Sequence, residues 1–221
     1  MYLPTHFAET RPEVLHQLVR EHPFGLLVTQ GGGRGIEANG VPFVLDADPE
    51  GGPGILRAHV ARANTIWREA RSDVDSLVVF QGAQVYVSPA WYPSKAEHGK
   101  VVPTWNYIMV QGRGRLRAID DAEWLRRFVS SLTDDHEKRR VAQSPAQAAT
   151  WAVTDAPAEF VETMLKAIVG IEIVLTSLVG KWKASQNRPA ADREGVARGL
   201  DDLAGSDAAA MARQVLADRD G

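Results

Sequence analysis

The stretch from Val87 to Tyr107 concentrates side chains that could bind a flat, polar ligand. It contains two Trp and two Tyr beside prolines, hydroxyls and an amide. A core strand would space its aromatic residues at a period of two and would avoid proline. Rings that offer a stacking surface, next to groups that hydrogen-bond a ligand's edge, are typical of a pocket wall. The candidate residues are Ser88, Thr104, Trp105 and Asn106, and the alternative is a proline-kinked edge strand packed on the core.

A second group of candidates lies where a predicted strand passes into a predicted helix. Arg57 and His59 project from one face of the strand, because side chains alternate along it, and Arg62 and Asn64 follow in the turn. Cations together with the N–H groups of a helix N-terminus are donors that suit a phosphate. The spacing predicts a monophosphate site, and the alternative is a solvated strand end with a capped helix.

A third group follows an apolar strand near the end of the chain. The residues concerned are Lys181, Lys183, Ser185, Gln186 and Arg188, with Trp182 among them. A solvated loop needs neither a Trp nor so many different polar side chains. The segment therefore indicates a clamp on a ligand or a contact across a subunit interface, with a solvated basic loop as the alternative.

Composition excludes several classes of protein. Cysteine is absent, so disulfides, thiolate metal sites and cysteine nucleophiles are excluded. The six His show no metal-ligand spacing, and no nucleophile lies in a recognisable motif, so no metal site is expected and no catalytic residue is assigned. A net charge of -3 gives no support for a nucleic-acid surface. No apolar run is long enough to span a membrane and the first residues are not typical of a signal peptide, so a cytoplasmic location is expected.

Hydrophobic periodicity predicts helices and strands that are interspersed without strict alternation. Several predicted strands follow one another without a helix between them, which favours an antiparallel sheet that closes into a barrel with helices outside. No Gly-x-Gly-x-x-Gly follows a strand, so a doubly wound parallel sheet is disfavoured. Strands are predicted at 24–30, 36–45, 55–60, 75–80, 83–88, 104–119 and 168–179, and helices at 11–22, 61–71, 120–137, 157–166, 196–203 and 206–216.

Several motifs together resemble the PaiB family of FMN-binding negative transcriptional regulators. They extend over roughly residues 1 to 200, and each alone is weak while the combination is specific. They are Met-Tyr-Leu-Pro-Thr-His-Phe at 1–7, Phe-Gly-Leu-Leu-Val-Thr at 24–29, His-Val-Ala-Arg-Ala-Asn at 59–64, Val-Phe-Gln-Gly at 79–82, Tyr-Val-Ser-Pro-Ala-Trp-Tyr at 86–92, Val-Pro-Thr-Trp-Asn-Tyr at 102–107, Met-Leu-Lys-Ala-Ile-Val-Gly at 164–170 and Lys-Trp-Lys-Ala-Ser-Gln-Asn-Arg at 181–188.

The resemblance implies an α+β fold, an antiparallel split β-barrel related to the pyridoxamine-phosphate oxidase group, with peripheral helices. It implies a homodimer with FMN between the subunits. The motif at 59–64 matches a segment expected near the FMN phosphate and ribityl chain, the motif at 104–106 one near the flavin, and the motif at 181–188 one that closes the site. We expect one domain over 1–203, followed by an Ala-rich helix or tail over 204–221.

Two functions follow as hypotheses from different classes. The first is an FMN-binding regulator of the PaiB type, although the sequence supplies no DNA-binding element. The second is a flavin-dependent oxidoreductase that acts on a small molecule with NAD(P)H; the fold alone does not establish a reaction. A weaker third hypothesis is haem binding, with His59 or His98 as the ligand.

Overall fold

The computed structural model describes residues 1–31 and 35–217. The described strands form one eight-stranded sheet in the order β3-β2-β6-β7-β8-β5-β4, with β1 paired to β8. The strands are β1 (Ala8–Glu9), β2 (Phe24–Gly31), β3 (Gly35–Pro42), β4 (Val44–Asp46), β5 (Ile55–Ala61), β6 (Ser76–Val87), β7 (Thr104–Ile119) and β8 (Ile168–Lys183). The helices are α1 (Pro12–Glu21), α2 (Ile66–Glu69), α3 (Ser94–His98), α4 (Ala122–Gln143), α5 (Ala158–Lys166), α6 (Ala190–Asp201) and α7 (Ser206–Leu216).

Helix α1 shows how local sequence starts and ends an element. Pro12 occupies the first helical position, where its fixed φ fits and its missing N–H is not needed. Leu15, Leu18 and Val19 are buried on one face, as their helical spacing predicts. Pro23 follows the helix and cannot continue it. The predicted helix over 11–22 is confirmed to within one residue at each end.

One compact unit comprises residues 1–22, 79–112 and 178–217. In this unit β1 pairs antiparallel with the end of β8, and Glu9 lies opposite Gly180. Helix α6 approaches Trp91 closely at Gly195 and Gly199, where a Cβ would lie 2.1 Å from the Trp91 carbonyl oxygen and 2.4 Å from its ring. Helix α7 buries four side chains, so it packs more extensively than its Ala-rich sequence predicts.

The second compact unit comprises residues 23–78 and 113–177. Here β2 and β3 form an antiparallel hairpin, and β4 and β8 pair antiparallel with the two edges of β5. Helices α4 and α5 pack together through a small apolar cluster of Leu125, Val161 and Leu165. The Asp121 carboxylate accepts a hydrogen bond from the Trp124 N–H at 2.6 Å, which caps the start of α4.

Two boundaries differ from the sequence prediction in ways that matter for function. The predicted strands 75–80 and 83–88 are one strand, β6, because Gly82 continues the ladder and its missing side chain leaves room for Leu18 and Ile108. Strand β8 does not stop at 179. It continues through Lys183 because β1 pairs with its last residues, so Lys181 and Lys183 lie on a strand and not in a loop.

Candidate functional site

An aromatic cavity lies in the first unit, the one with residues 1–22, 79–112 and 178–217. Its volume is about 570 Å³, and it is lined by Met1, Tyr2, Gln81, Gln84, Trp105, Tyr107, Met109 and Lys181. Trp105 is 54% exposed, and the Tyr86 ring lies edge-on to it at 6.4 Å. A cavity of this size suits a small cofactor, and its exposed ring faces suit a planar one.

Two lysines of β8 lie at this aromatic surface. Lys181 Nζ donates to the Tyr2 carbonyl oxygen at 3.0 Å and lies 5.4 Å and 5.2 Å from the centroids of the Tyr2 and Tyr107 rings. Lys183 Nζ donates to Thr104 Oγ1 and to the Trp105 carbonyl oxygen. Burial lowers the pKa of Lys183, and the positive charges of Lys181 and Arg188 lower it further. Strand β8 therefore brings positive charge to the rings of β7, and the ligand clamp that the sequence suggests for this segment stays a prediction.

The turn after β8 is fixed by buried hydrogen bonds. Asn106 Nδ2 donates to Ser185 Oγ at 2.9 Å, and both side chains are buried. Gln186 Oε1 accepts from the Ala184 N–H at 2.7 Å, and its amide donates to the Trp182 carbonyl. Ser185 has a φ of 63°, which is uncommon for a residue other than glycine and persists where surrounding contacts enforce it. Asn106, Ser185 and Gln186 thus hold the turn that directly follows Lys183, and none of the three lines the cavity.

The aromatic stretch of 87–107 divides into two parts with different roles. Ser88 Oγ accepts from the Ala90 N–H at 3.2 Å and caps the short 3-10 helix Pro89–Trp91. Tyr92 is buried, and the Arg188 guanidinium lies 5.0 Å from its ring centroid. The half at 88–92 therefore matches the packing alternative, whereas Trp105 and Tyr107 line the cavity.

Arg57 belongs to an ion network in the second unit. Its Nε donates to Glu172 Oε1 at 2.7 Å, and its Nη1 contacts the Asp46 carboxylate. Arg117 binds the other oxygen of Glu172, with Nε at 2.7 Å. The Glu172 and Asp46 carboxylates thus neutralise the Arg57 charge that the sequence predicts to bind phosphate. A phosphate role for Arg57 stays a prediction and would have to compete with Glu172 and Asp46.

His59 lies beside Arg57 on β5 and is half-buried. Its ring meets the Phe128 ring edge-on at 6.0 Å, and its Nδ1 is buried without a hydrogen-bond partner. Burial lowers the pKa of His59, so the imidazole is neutral at pH 7. A neutral imidazole can hydrogen-bond a phosphate or ribityl oxygen, but it contributes no charge.

Arg62 and Asn64 hold the turn that follows β5. The Arg62 guanidinium donates to both Asp120 oxygens at 2.8 Å and 2.6 Å and to the carbonyl oxygens of Lys166 and Ile168. One of its five N–H donors remains. Asn64 Oδ1 accepts from the Ile66 N–H at 3.1 Å, and its Nδ2 donates to Asn39 Oδ1 at 2.9 Å. The segment is therefore tightly anchored, with few donors left for a ligand.

These contacts predict the outcome of replacing Arg62. Arg62→Ala and Asp120→Ala break the same ion pair, so both are expected to lower the melting temperature by a similar amount, and the FMN affinities of the two variants are expected to remain similar to each other. Flavin fluorescence titration and differential scanning calorimetry on the two variants measure these effects. A tenfold larger loss of FMN affinity in Arg62→Ala than in Asp120→Ala would assign the remaining donor to the phosphate.

Of the eight cavity residues, the sequence candidates included Trp105 and Lys181 and missed the other six. Among those six, Tyr2, Gln81 and Gln84 stand in no motif with its own chemical signal. The only available signal for Tyr2 and Gln81 was the likeness of 1–7 and 79–82 to the family motifs. Within residues 1–31 and 35–217, no group of His, Asp and Glu is arranged to hold a metal ion, and no helix is long and apolar enough to cross a membrane.

Comparison with known proteins decides the family. Residues 1–177 match the family model described as "Putative FMN-binding domain". The chain belongs to this family. FMN is the cofactor that the family description carries, so the sequence prediction of FMN is confirmed at the level of the family.

Two curated relatives show how far the similarity extends. An uncharacterized protein of Emericella nidulans is 33% identical over 252 aligned residues, which cover 99% of this chain and 97% of the relative. The Protease synthase and sporulation protein PAI 2 of Bacillus subtilis is 31% identical over 192 residues, which cover 87% of this chain and 85% of the relative. The resemblance to the PaiB family is therefore confirmed.

Solved structures with low sequence identity share the fold. The FAD and heme binding protein of Mycobacterium smegmatis superposes with a TM-score of 0.54 at 16% identity, covering 87% of this chain and 80% of that one. The flavocytochrome Anf3 of Azotobacter vinelandii superposes with a TM-score of 0.51 at 14% identity, covering 80% and 69%. The predicted α+β split-barrel fold is confirmed.

The cavity residues fit the chemistry of FMN. An isoalloxazine ring needs a flat apolar face and hydrogen-bond partners along its edge, and the exposed ring of Trp105 and the amides of Gln81 and Gln84 provide both. The ammonium group of Lys181 lies at the same cavity and suits the electron-rich edge of the ring.

Proposed function

We propose that this chain binds FMN through the aromatic cavity of its first unit and acts as a flavin-binding regulator of the PaiB type. The single observation that supports this most is the 570 Å³ cavity, in which Trp105 offers an exposed ring face beside Lys181. Membership of an FMN-binding family supplies the identity of the ligand. The aromatic lining and the positive charge at the cavity suit that ligand.

Six of the eight cavity residues have a specific role in this proposal. Trp105 and Tyr107 contact the face of the ring, and Gln81 and Gln84 hydrogen-bond its polar edge. Lys181 supplies positive charge, and its ammonium is held in place by the Tyr2 carbonyl oxygen. When bound, FMN supplies reversible electron and hydride acceptance. The protein positions the ring and sets the electrostatics around it.

A homodimer forms part of the proposal, and the β2–β3 hairpin supports it. Directly paired residues of an antiparallel hairpin share one face, and the paired residues of one face here are almost all apolar. Antiparallel sheets that face water on one side normally alternate apolar and polar residues, so an apolar outer face indicates a covered one. That face comprises Phe24, Leu26, Val28, Ile36, Ala38, Gly40 and Pro42, with Gln30 as its polar member.

Replacing Leu26 tests this interface. Leu26 is 47% exposed on the apolar face, so Leu26→Glu is expected to convert a dimer into a monomer while the hairpin remains folded. Light scattering after size-exclusion chromatography gives the mass, and circular dichroism reports the fold. Leu203→Glu, at a similarly exposed apolar residue after α6, is the matched control and should leave the mass unchanged. A dimer that survives Leu26→Glu contradicts the assignment of this face.

The regulatory part of the proposal does not rely on the basic cluster near the end of α4, which consists of Lys138, Arg139 and Arg140. Arg140 donates to Glu137 and to the carbonyl oxygens of Gln147 and Ala149, so it holds the segment after α4 in place. Lys138 faces Asp135 at 3.9 Å. These contacts support an effect on transcription that passes through FMN or a partner and not through direct DNA contact by this cluster.

Spectroscopy tests the proposed function first. The purified chain, stripped of ligand and titrated with FMN, should give saturable binding with a shifted flavin absorbance band. Failure to bind FMN would contradict the proposal, and a Soret band after haem addition would favour haem. For the bound form, mobility shift at low salt with promoter DNA tests direct DNA contact. Rapid NADPH-dependent bleaching of the flavin would instead support the oxidoreductase hypothesis.

A further inference from the structure

A second cavity in the first unit shares no lining residue with the aromatic cavity. Its volume is about 480 Å³, within the range of about 300–1,000 Å³ that is common for small-molecule sites. Helix α1 contributes Gln17 and Glu21 to its lining, and helix α7 contributes Arg213 and Gln214, so we call it the α1–α7 cavity. Since α7 lies beyond residues 1–177, which match the family model, the FMN-binding domain forms only part of this cavity.

The two cavities lie on opposite faces of the same strands. On β7, Ile108 lines the α1–α7 cavity, whereas its neighbours Tyr107 and Met109 line the aromatic cavity. On β8, Trp182 lines the α1–α7 cavity and Lys181 lines the aromatic cavity. This division arises because successive side chains of a strand point to opposite faces of the sheet. A ligand in the α1–α7 cavity is therefore separated by the sheet from a flavin in the aromatic cavity, and its role would be that of an effector and not of a flavin substrate.

The buried part of the α1–α7 cavity is apolar. Leu18, Ala83, Ile108 and Trp182 line it, and each of them is at most 6% exposed. Covering apolar surface with an apolar group removes both from water, which is favourable. This part of the cavity therefore favours a ligand with an apolar body.

Two opposite charges at this cavity have no ionic partner. Glu21 accepts a hydrogen bond from the neutral Gln17 amide, with Nε2 at 2.7 Å from Oε1. In the part of the chain that the structure describes, neither Glu21 nor Arg213 forms an ion pair, with each other or with another side chain. The cavity's other Glu and Arg are paired, since Arg11 Nε donates to Glu9 Oε1 at 2.9 Å. The cavity thus presents one carboxylate and one guanidinium that are held apart on different helices.

These two charges determine which charges the ligand carries. An ammonium group suits the Glu21 carboxylate. A carboxylate suits the Arg213 guanidinium, because the planar fork of an arginine can donate two parallel hydrogen bonds to a carboxylate. A ligand with only one charged group leaves one of the two side chains without a counter-charge. A zwitterion with an apolar body matches both charges and the buried apolar lining.

We propose that the α1–α7 cavity binds a small zwitterion with an ammonium, a carboxylate and an apolar side chain, which is the chemistry of an apolar amino acid or short peptide. Glu21 binds the ammonium and Arg213 binds the carboxylate. Leu18 and Trp182 contact the apolar side chain. This site goes beyond the proposed function, since it lies outside the aromatic cavity and needs no FMN, and it gives the proposed regulator a separate site for an effector.

Isothermal titration calorimetry of the full chain, with and without FMN, tests this site. Leucine and leucyl-leucine are the probes that carry both charges, whereas isocaproate and isoamylamine each carry one charge on a similar apolar body. At least one of the two zwitterions is expected to bind saturably and at least tenfold more tightly than either singly charged compound. Comparison of leucine with leucyl-leucine shows whether an amino acid or a peptide has the better spacing of charges.

Three variants assign the binding to this cavity. Arg213→Gln and Glu21→Gln each remove one charge and are expected to weaken the tighter zwitterion at least tenfold. Ala210→Phe keeps both charges but fills part of the cavity, so it is expected to weaken that zwitterion as well. Lys95→Gln removes an exposed charge of the same unit that does not line the cavity, and it should leave binding unchanged. Circular dichroism confirms that each variant is folded.

Several results would overturn the inference. One is the absence of saturable binding by both zwitterions, and another is zwitterion binding that is unchanged in Arg213→Gln and Glu21→Gln. Equal affinities for isocaproate and for the tighter zwitterion would show that the ammonium is not recognised. FMN titration of the same preparations keeps the two proposals apart. A chain that binds a zwitterion but no FMN contradicts the proposed function alone, and a chain that binds FMN but neither zwitterion contradicts this inference alone.

Discussion

Trp105→Ala is expected to lower the affinity for FMN by about ten- to a hundredfold. The Trp105 ring is exposed at the aromatic cavity, and stacking of a planar base on an aromatic side chain contributes about 1–3 kcal/mol when measured by alanine substitution. Because the Lys183 contact uses the Trp105 carbonyl oxygen, the substitution leaves that hydrogen bond available. The expected loss therefore reports the ring and not a collapse of the cavity wall.

The measurement is quenching of flavin fluorescence on titration of the stripped variant with FMN. Trp151→Ala is the matched control, because Trp151 is 48% exposed and does not line the aromatic cavity. The control should keep wild-type affinity. Equal affinity in wild type, Trp105→Ala and Trp151→Ala would show that the flavin binds elsewhere and would remove Trp105 and Tyr107 from the site.

The charged candidates show what sequence reasoning could not supply. Arg57 and Arg62 have the residue types and spacing of a phosphate site, yet Glu172 and Asp120 neutralise them in the folded chain. These carboxylates lie 115 and 58 residues away in sequence, so only the tertiary fold brings them near. A local motif cannot reveal a distant counter-charge.

The polar segment at 181–188 illustrates the reverse case. Alternation along a strand would have placed Lys181 and Lys183 on one face and Trp182 on the other, but the polar composition suggested a loop. Strand β8 extends this far because it pairs with β1, a two-residue strand near the N-terminus. Ala8 of β1 lies opposite Lys181 of β8. The residue types at 181–188 were informative, while the element that presents them depended on a tertiary contact.

The fold class was easier to predict from the sequence than the candidate site. Successive strands without intervening helices predict antiparallel pairing, and the hairpin, the pairing of β5 with β8 and the positions of α1, α4 and α5 agree with that pattern. Hydrophobic periodicity is a property of each segment, so it is visible locally. The division of the aromatic stretch is not visible locally, because it depends on Gly195 and Gly199 of α6, whose missing side chains leave room for Trp91 to pack closely.

Glu172→Gln is expected to lower the free energy of unfolding by about 2 kcal/mol at pH 7. Glu172 is 2% exposed and accepts hydrogen bonds from Arg57 and Arg117, so the variant leaves two guanidinium groups without their shared carboxylate. Removing one partner of a fully buried pair costs about 3–5 kcal/mol. The loss here is smaller because Arg117 is 65% exposed and can turn to water, and Arg57 retains Asp46.

Urea denaturation as a function of pH measures both the size and the sign of this contribution. Burial by itself would raise the pKa of Glu172, but the hydrogen bonds from Arg57 and Arg117 and their charges outweigh it, so the pKa is lowered in the folded chain. A carboxyl with a lowered folded pKa stabilises the protein above its unfolded pKa of about 4.3, and this stabilisation is lost as pH falls through the folded value. The difference in the free energy of unfolding between wild type and Glu172→Gln should therefore stay constant from about pH 6 to 8 and shrink in acid.

Glu123→Gln, which breaks an exposed pair with Arg127, is the control and should change the free energy of unfolding by less than about 0.5 kcal/mol. A difference that grows as the pH falls would mean that Glu172 is protonated in the native state and that the two arginines do not depend on its charge.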